Sequence, residues 1–249
     1  TALYPGRTLD LLMKILALLP TYNERENIEA VLEQLFALPL PIEVLVVDDL
    51  SPDGTGQFVE QMKDRYPGRL EILHRQGPRG RGRAGIAAFQ QAARVEGLDW
   101  VLEMDADGSH RPRFIPQMLQ AGREADVVLG SRYVPGGGVI GWSAFRYVNS
   151  FVAGWVARLL LGLRAKDPTS GFRLFRHEVV RQLPWDEMIS DNPSIVEEIL
   201  YHCTLRKFRI AEVPIMFVDR QKGESKFSLK LISRWIGNLW HVRRRAAHG

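Results

Sequence analysis

Five short apolar runs, at residues 14–19, 43–47, 70–74, 99–104 and 126–129, alternate with segments of helical periodicity and leave this chain few folds to choose from. The first helical segment, 27–38, repeats apolar side chains at Ile28, Val31, Leu32, Leu35 and Phe36, one face of a 3.6-residue period. Further helices are expected at 55–66, 85–96 and 113–122. Strands alternating with helices of this length are the sequence form of βαβ units. The expectation is therefore an α/β fold: a mostly parallel sheet with flanking helices, Rossmann-like. From Trp142 the pattern changes to a long amphipathic helix through Leu163, a mixed segment to Val218 and a basic amphipathic helix at the end. The division expected is one domain over 1–225 and a C-terminal helix over 226–249.

With 249 residues, 45% hydrophobic and 25% charged, the chain can bury a sizeable core and is not of disordered type. The single cysteine, Cys203, excludes an intramolecular disulfide framework and points to a reducing compartment. Its place in a helical apolar run reads as a small buried hydrophobe. The longest apolar stretches, 9–19 and 151–163, are broken by charges and fall short of the roughly 20 residues that span a bilayer. The beginning lacks a signal-peptide layout. A non-spanning protein is expected.

Asp105-Ala106-Asp107 directly follows an apolar run, where open α/β sheets bind ligands, at the carboxyl ends of strands. Alternate residues of an extended segment point the same way, so both carboxylates can reach one hard cation whose other positions are left for diphosphate oxygens. An exposed Asx turn has the same spelling. Asp48-Asp49 ends another run and offers either a nucleoside acceptor or, with the stretch 51–55, a turn and helix cap. Pro20-Thr21-Tyr22-Asn23-Glu24 sets an aromatic ring and a carboxylate at the end of the first strand, where a base can stack, or caps the helix through Asn23. The segment Gly80-Arg81-Gly82-Arg83-Ala84-Gly85 spells G-x-G-x-x-G, but after the third strand and not the first, so it is read as a decoy. Arg79, Arg81 and Arg83 are open to a phosphate. Arg146 and Ser150 lie four apart on one helix face, and with Arg132 match an anion or stand solvated.

Together these segments resemble the dolichol-phosphate mannose synthase family within the inverting A-type glycosyltransferases. The strings that carry the resemblance are PTYNERENI, VVDDLSPDGT, GRAGIAAF, EMDADGSHRP, GSRYVPGGG, DPTSGFRLF and RIAEVPIMFVDRQKGESK, in order over about 200 residues. The resemblance implies a guanosine pocket at Pro20, Tyr22, Glu24, Val47 and Asp49, and a diphosphate and metal segment at Asp105, Ala106 and Asp107. Ser109 stands at a further metal position. It also implies donor-phosphate contacts from Arg132, Arg220 and Lys226, and acceptor-phosphate contacts from Arg146 and Ser150 with Arg132. Gly108 and Arg81 stand where leucine is usual, and Val196 where glutamine is.

The implied reaction moves mannose from GDP-mannose to a polyprenyl (dolichol-type) phosphate with inversion, aided by Mg²⁺ or Mn²⁺, with Asp105, Asp107, Arg132, Arg220 and Lys226 as the catalytic group. A UDP-glucose-dependent polyprenyl-phosphate glucosyltransferase is the nearest rival, and an NAD(P)-binding oxidoreductase a distant one. Two anions bound side by side account for the net charge of +4 without nucleic acid. The expected location is peripheral, on the cytoplasmic face of a membrane. In the last helix Leu229, Ile232, Trp235, Ile236, Leu239 and Trp240 form an apolar stripe beside Lys230, Arg234, Arg243, Arg244 and Arg245. That stripe suits a membrane surface, a membrane-spanning partner subunit, or the protein's own α/β body.

Overall fold

The computed structural model describes residues 13–219 and 229–246, with side chains in the second segment from 233 to 245. Arg220, Lys226 and the domain boundary at 225/226 lie outside the described residues, as do the side chains of Leu229, Lys230 and Ile232. The strands are β1 (Ile15–Thr21), β2 (Ile42–Asp48), β3 (Leu70–His74), β4 (Trp100–Glu103), β5 (Val127–Ser131), β6 (Gly138–Ile140), β7 (Arg173–Arg176), β8 (Ile210–Pro214) and β9 (Met216–Val218). The helices are α1 (Ile28–Phe36), α2 (Thr55–Met62), α3 (Arg81–Arg94), α4 (Ile115–Ala121), α5 (Ala144–Leu161), α6 (His177–Gln182), α7 (Ile195–Leu205) and α8 (Leu229–Ala246).

Seven strands form one sheet in the order β3-β2-β1-β4-β7-β5-β8, parallel except for β7, which runs antiparallel to both neighbours. Residues of β1 alternate between two cores. Ile15, Ala17 and Leu19 face α1 and α4, whereas Leu16 and Leu18 face α3 and α7. Helices on both faces are why β1 reads as an unbroken apolar run and not as an alternation. Each such buried aliphatic side chain contributes about 1.5–3 kcal/mol. On the α3 side Phe89 stacks on Trp185 at 4.6 Å and meets Phe175 edge-on at 5.4 Å. Cys203 is sealed in this core, where burial pushes its thiol up to about 12.

Two helices depart from the usual pattern. In α5 the residues turned to the body are small or few, Gly154, Ala157 and Leu161, while Phe145, Val148, Phe151, Val152, Trp155 and Leu159 are exposed. In α8 the stripe read from the sequence is split. Leu239 and Val242 are buried on the body and the Trp235 indole N–H donates to Glu197 Oε1 at 3.1 Å, so only Ile236 and Trp240 of the described stripe point outward. Packing on the α/β body thus takes the inward half of that face. Arg243 Nη1 donates to Leu160 O at 2.6 Å and ties α8 to α5.

Candidate active site

The sheet changes direction of winding at β1, whose neighbours are β2 on one side and β4 on the other. Loops leaving the two strands part there and open a crevice at their carboxyl ends. Pro20, Thr21, Tyr22, Asp49, Arg79, Gly80, Arg81 and Ala84 line a cleft of about 310 Å³ in it. Arg79 lies over the Tyr22 ring, 4.5 Å from its centroid, and also reaches the Tyr22 hydroxyl. Asp49 is buried, paired with Arg75 through Oδ1, and accepts the Gly80 N–H through Oδ2 at 2.7 Å.

Of the five residues expected around a nucleoside, Pro20, Tyr22 and Asp49 share this cleft. Val47 lies beneath it in the sheet core, and the Glu24 carboxylate accepts from Asn27 Nδ2 at 2.8 Å at the head of α1. The N-cap of α2 is Gly54, at a left-handed φ of 83°, and the neighbouring Asp53 carboxylate accepts from Thr55 N, Thr55 Oγ1 and Arg25 N. Burial raises the Asp53 carboxyl, but these hydrogen bonds outweigh it and hold the group below its usual range. Asn23 is no cap; it adopts a left-handed φ of 59° and donates its N–H to Ser51 Oγ.

The glycines of the G-x-G-x-x-G string have a packing role. A Cβ at Gly80 or Gly82 would collide with the backbone carbonyls of Asp191 and Ser190, and Gly82 N–H donates to Asp191 O at 3.2 Å. The string lets the segment before α7 cross the start of α3, and no dinucleotide motif is present at this turn.

Across the crevice, beyond β4, Asp105 and Asp107 face the same loop. Asp107 Oδ1 accepts the Ser109 N–H at 3.0 Å with Gly108 at a φ of 76°, so the segment forms an Asx turn. Asp105 Oδ1 accepts from Arg81 Nη2 at 3.1 Å, and its N–H donates to His110 Nδ1 at 3.0 Å. Burial raises the Asp105 carboxyl, yet the adjacent Arg81 guanidinium holds it below its ordinary value. His110 is buried against Phe172 and its charge is disfavoured by that burial, which keeps the ring neutral and lets Nδ1 accept.

Among the described residues no three His, Cys, Asp or Glu side chains converge into a metal cage. A small hard cation needs none: it binds through one or two carboxylates, waters and substrate phosphates. Asp105 and Asp107 fit that donor set, and Ser109 Oγ, buried without a hydrogen-bond partner among the described residues, adds an oxygen beside them.

The third group surrounds Trp142. Arg146 lies 4.6 Å from its ring centroid and Arg132 5.4 Å, so one indole brings the two guanidinium groups together. Arg132 is clasped by Asp167 and also donates to Thr169 Oγ1 at 2.7 Å. Arg146 Nη1 donates to Asp219 Oδ2 at 2.5 Å, immediately before Arg220. Ser150 lies one turn along α5, beside the Tyr133 phenol, which burial raises above its usual range against the pull of Ser150 and Arg132. Trp142 Nε1 and Asp219 Oδ1 are buried there without partners among the described residues.

Sequence reasoning passed over Arg75, Glu103, His110, Asp167 and Arg173, which hold the first-named groups in place. Arg173 of β7 is fully buried and donates through Nε to Glu103 Oε2 at 2.8 Å, and through Nη1 to Val196 O at 2.6 Å. A charge inside an apolar strand, as at Glu103, is the signal that was available.

A match to the model of glycosyl transferase family 2 covers residues 17–183. The chain belongs to that family. This glycosyltransferase is 38% identical over 227 residues to the undecaprenyl-phosphate mannosyltransferase of Micrococcus luteus, covering 91% of this chain and 93% of that one. It is 38% identical over 235 residues to the polyprenol monophosphomannose synthase of Mycolicibacterium smegmatis, covering 93% and 88%. Similarity to the dolichol-phosphate mannosyltransferase of Pyrococcus furiosus, 37% over 238 residues, covers 92% of the glycosyltransferase and 64% of its longer relative. Solved structures agree on the A-type glycosyltransferase fold. Mannosyl-3-phosphoglycerate synthase from Rubrobacter xylanophilus superposes with a TM-score of 0.65 at 21% identity, over 96% of this chain and 76% of that one. Glucosyl-3-phosphoglycerate synthase from Mycobacterium tuberculosis, in complex with Mn²⁺, UDP and glucosyl-3-phosphoglycerate, does so at 0.64 and 20%, over 97% and 85%.

Proposed function

We propose that this glycosyltransferase carries mannose from GDP-mannose to the phosphate of a polyprenyl lipid, with inversion, while resting on the cytoplasmic face of a membrane. The observation that carries the lipid acceptor is α5. Its first turns set Arg146 and Ser150 beside the crevice, and the same helix presents its large apolar side chains to the outside. A phosphate bound at Arg146 would then have its hydrocarbon tail along an apolar surface. The mannosyl and polyprenyl parts of the reading are those named in the relatives from M. luteus and M. smegmatis. No helix among the described residues is long and apolar enough to cross a membrane.

A phosphomonoester, with its second pKa near about 6, is largely dianionic at neutral pH and attacks without a strong general base. One of its oxygens forms the bond to the anomeric carbon as the bond from that carbon to the donor diphosphate breaks, and GDP leaves with the electron pair. Tyr22 and Asp49 hold the nucleoside in the cleft. Asp105 and Asp107, with Ser109 beside them, would hold Mg²⁺ or Mn²⁺, which supplies charge neutralisation to the leaving diphosphate. Arg132 and Arg146 bring the second anion into line from the Trp142 side. Arg220 and Lys226 complete the donor contacts in this reading, and the first follows Asp219 directly in sequence.

The test is transfer from GDP-mannose, UDP-glucose and UDP-N-acetylglucosamine to a polyprenyl phosphate in the presence of Mg²⁺ or Mn²⁺, with product analysis. A mannosyl lipid from GDP-mannose alone is expected. A glucosyl lipid from UDP-glucose would replace the donor assignment, and no lipid product from any donor would remove the reading.

A further inference from the structure

Arg81 opens α3 in the middle of the crevice, and its guanidinium divides itself between two carboxylates. Nη2 lies 3.2 Å from Glu103 Oε1 and 3.1 Å from Asp105 Oδ1. Glu103 does not depend on Arg81 for its counter-charge. The fully buried Arg173 already pairs with Glu103 Oε2, and Arg173 is itself anchored on Val196 O. Once Arg173 and Glu103 are counted as one neutral pair, the positive charge of Arg81 belongs to Asp105. The other end of the fork, Nη1, is buried with no hydrogen-bond partner among the described residues. An unsatisfied buried donor is costly to keep, so it marks a place where a ligand oxygen would be welcome. Arg81 also lines the cleft that holds Tyr22 and Asp49.

We propose that Arg81 is the resident counter-cation of Asp105: it occupies that carboxylate in the ligand-free enzyme, yields it to the divalent cation when the donor arrives, and turns its fork to the donor's diphosphate oxygens. The inference rests on the metal reading of Asp105 and Asp107 given above. Two physical consequences follow. A cation entering alone competes with a guanidinium already hydrogen-bonded to Oδ1, and is repelled by it at short range. A nucleoside diphosphate entering without metal still finds one positive group waiting. Metal alone therefore binds weakly, and nucleotide retains affinity when metal is stripped.

Two binding measurements on the intact chain test this: Mn²⁺ titration followed by electron paramagnetic resonance without nucleotide, and GDP calorimetry in a chelator. Arg81→Leu removes the fork. Arg81→Gln removes the charge but can still donate to Glu103, which guards against a folding defect in the first variant. Both are expected to bind Mn²⁺ about tenfold tighter than the parent chain, and to bind GDP in chelator about tenfold more weakly. Unchanged or weaker Mn²⁺ affinity in variants with native circular dichroism, or unchanged GDP affinity, overturns the proposal. Asp107→Ala separates this failure from that of the underlying reading. Loss of Mn²⁺ binding in Asp107→Ala with no effect of Arg81 would sink Arg81 alone, whereas Mn²⁺ binding that survives Asp107→Ala would sink the metal assignment itself.

Discussion

Arg132 and Asp167, 35 residues apart in sequence, meet in a sealed clasp: the Asp167 carboxylate accepts from Arg132 N at 2.9 Å, Nε at 2.8 Å and Nη2 at 2.6 Å. The contact fastens the carboxyl end of β5 to the turn that leads into β7. Asp167→Asn keeps the shape and removes the charge, leaving a guanidinium buried without its counter-ion. Urea unfolding is expected to show a loss of about 3–5 kcal/mol. A loss below about 1 kcal/mol would mean that water reaches the pair in spite of its burial.

In the proposed function Arg146 serves the acceptor phosphate and the cleft of Tyr22 and Asp49 serves the donor, so the two substrates should respond differently to its loss. Arg146→Ala removes one charge-assisted contact to the lipid phosphate, about 1.5–3 kcal/mol, or roughly ten- to a hundredfold in KM for that substrate. GDP affinity should stay within about twofold, because the donor cleft lies on the other side of the crevice. Equal weakening of both substrates in steady-state kinetics and calorimetry would dissolve the separation of the two phosphate sites.

Along α5, Trp155 is 55% exposed and Leu159 64%, so charges placed there should leave the fold intact. The double substitution Trp155→Glu, Leu159→Glu is expected to keep the melting temperature and to lower co-sedimentation with anionic vesicles by about tenfold or more, given about 1.5–3 kcal/mol for each large apolar side chain withdrawn from water. Vesicle binding that is untouched by the pair but lost with Trp240→Glu would move the contact to α8.

Glu197 supplies a pH signature. Burial raises its carboxyl to about 7, against hydrogen bonds from its own backbone and from Trp235. A carboxyl raised in the folded state stabilises the fold fully below its unfolded value near 4.5, and that stability is lost as pH rises through about 7. Glu197→Gln keeps an acceptor for Trp235 and never ionises. Its melting temperature should match the parent near pH 4.5 and exceed it at pH 8, by up to about 3 kcal/mol in free energy. An equal shift at both pH values would exclude titration of Glu197 as the cause.

The strands β1 to β5 could be read from the sequence within a few residues, because a strand covered on both faces must be apolar throughout. The places of Asp49, Asp105 and Arg132 just past the carboxyl ends of β2, β4 and β5 could be read along with them. What escaped was long-range. β7, spelled Arg173-Leu174-Phe175-Arg176, has a charge at each end and no length to carry a period, yet it occupies the middle of the sheet. Its Arg173 is intelligible only once Glu103, 70 residues earlier, is seen beside it. The stripes on α5 and α8 were legible as stripes, but periodicity does not say which way a stripe turns. In α5 the small residues Gly154 and Ala157 face inward, and in α8 Leu239 and Val242 do.

The placement of β7 also has a consequence for the chain as it is made. Among the described residues β5 bonds to β7 and β8, both of which come later in sequence, and to none of the strands that precede it. On the ribosome, β1 to β4 can pair while β5 waits with both edges open until residues beyond 173 have emerged. At about 5–20 residues per second that interval lasts a few seconds, during which Val127-Val128-Leu129 is an unpaired apolar edge. The nascent glycosyltransferase is therefore most exposed to aggregation after β1 to β4 are complete, and a pause in translation between residues 131 and 173 should lower the yield of soluble protein more than one placed earlier.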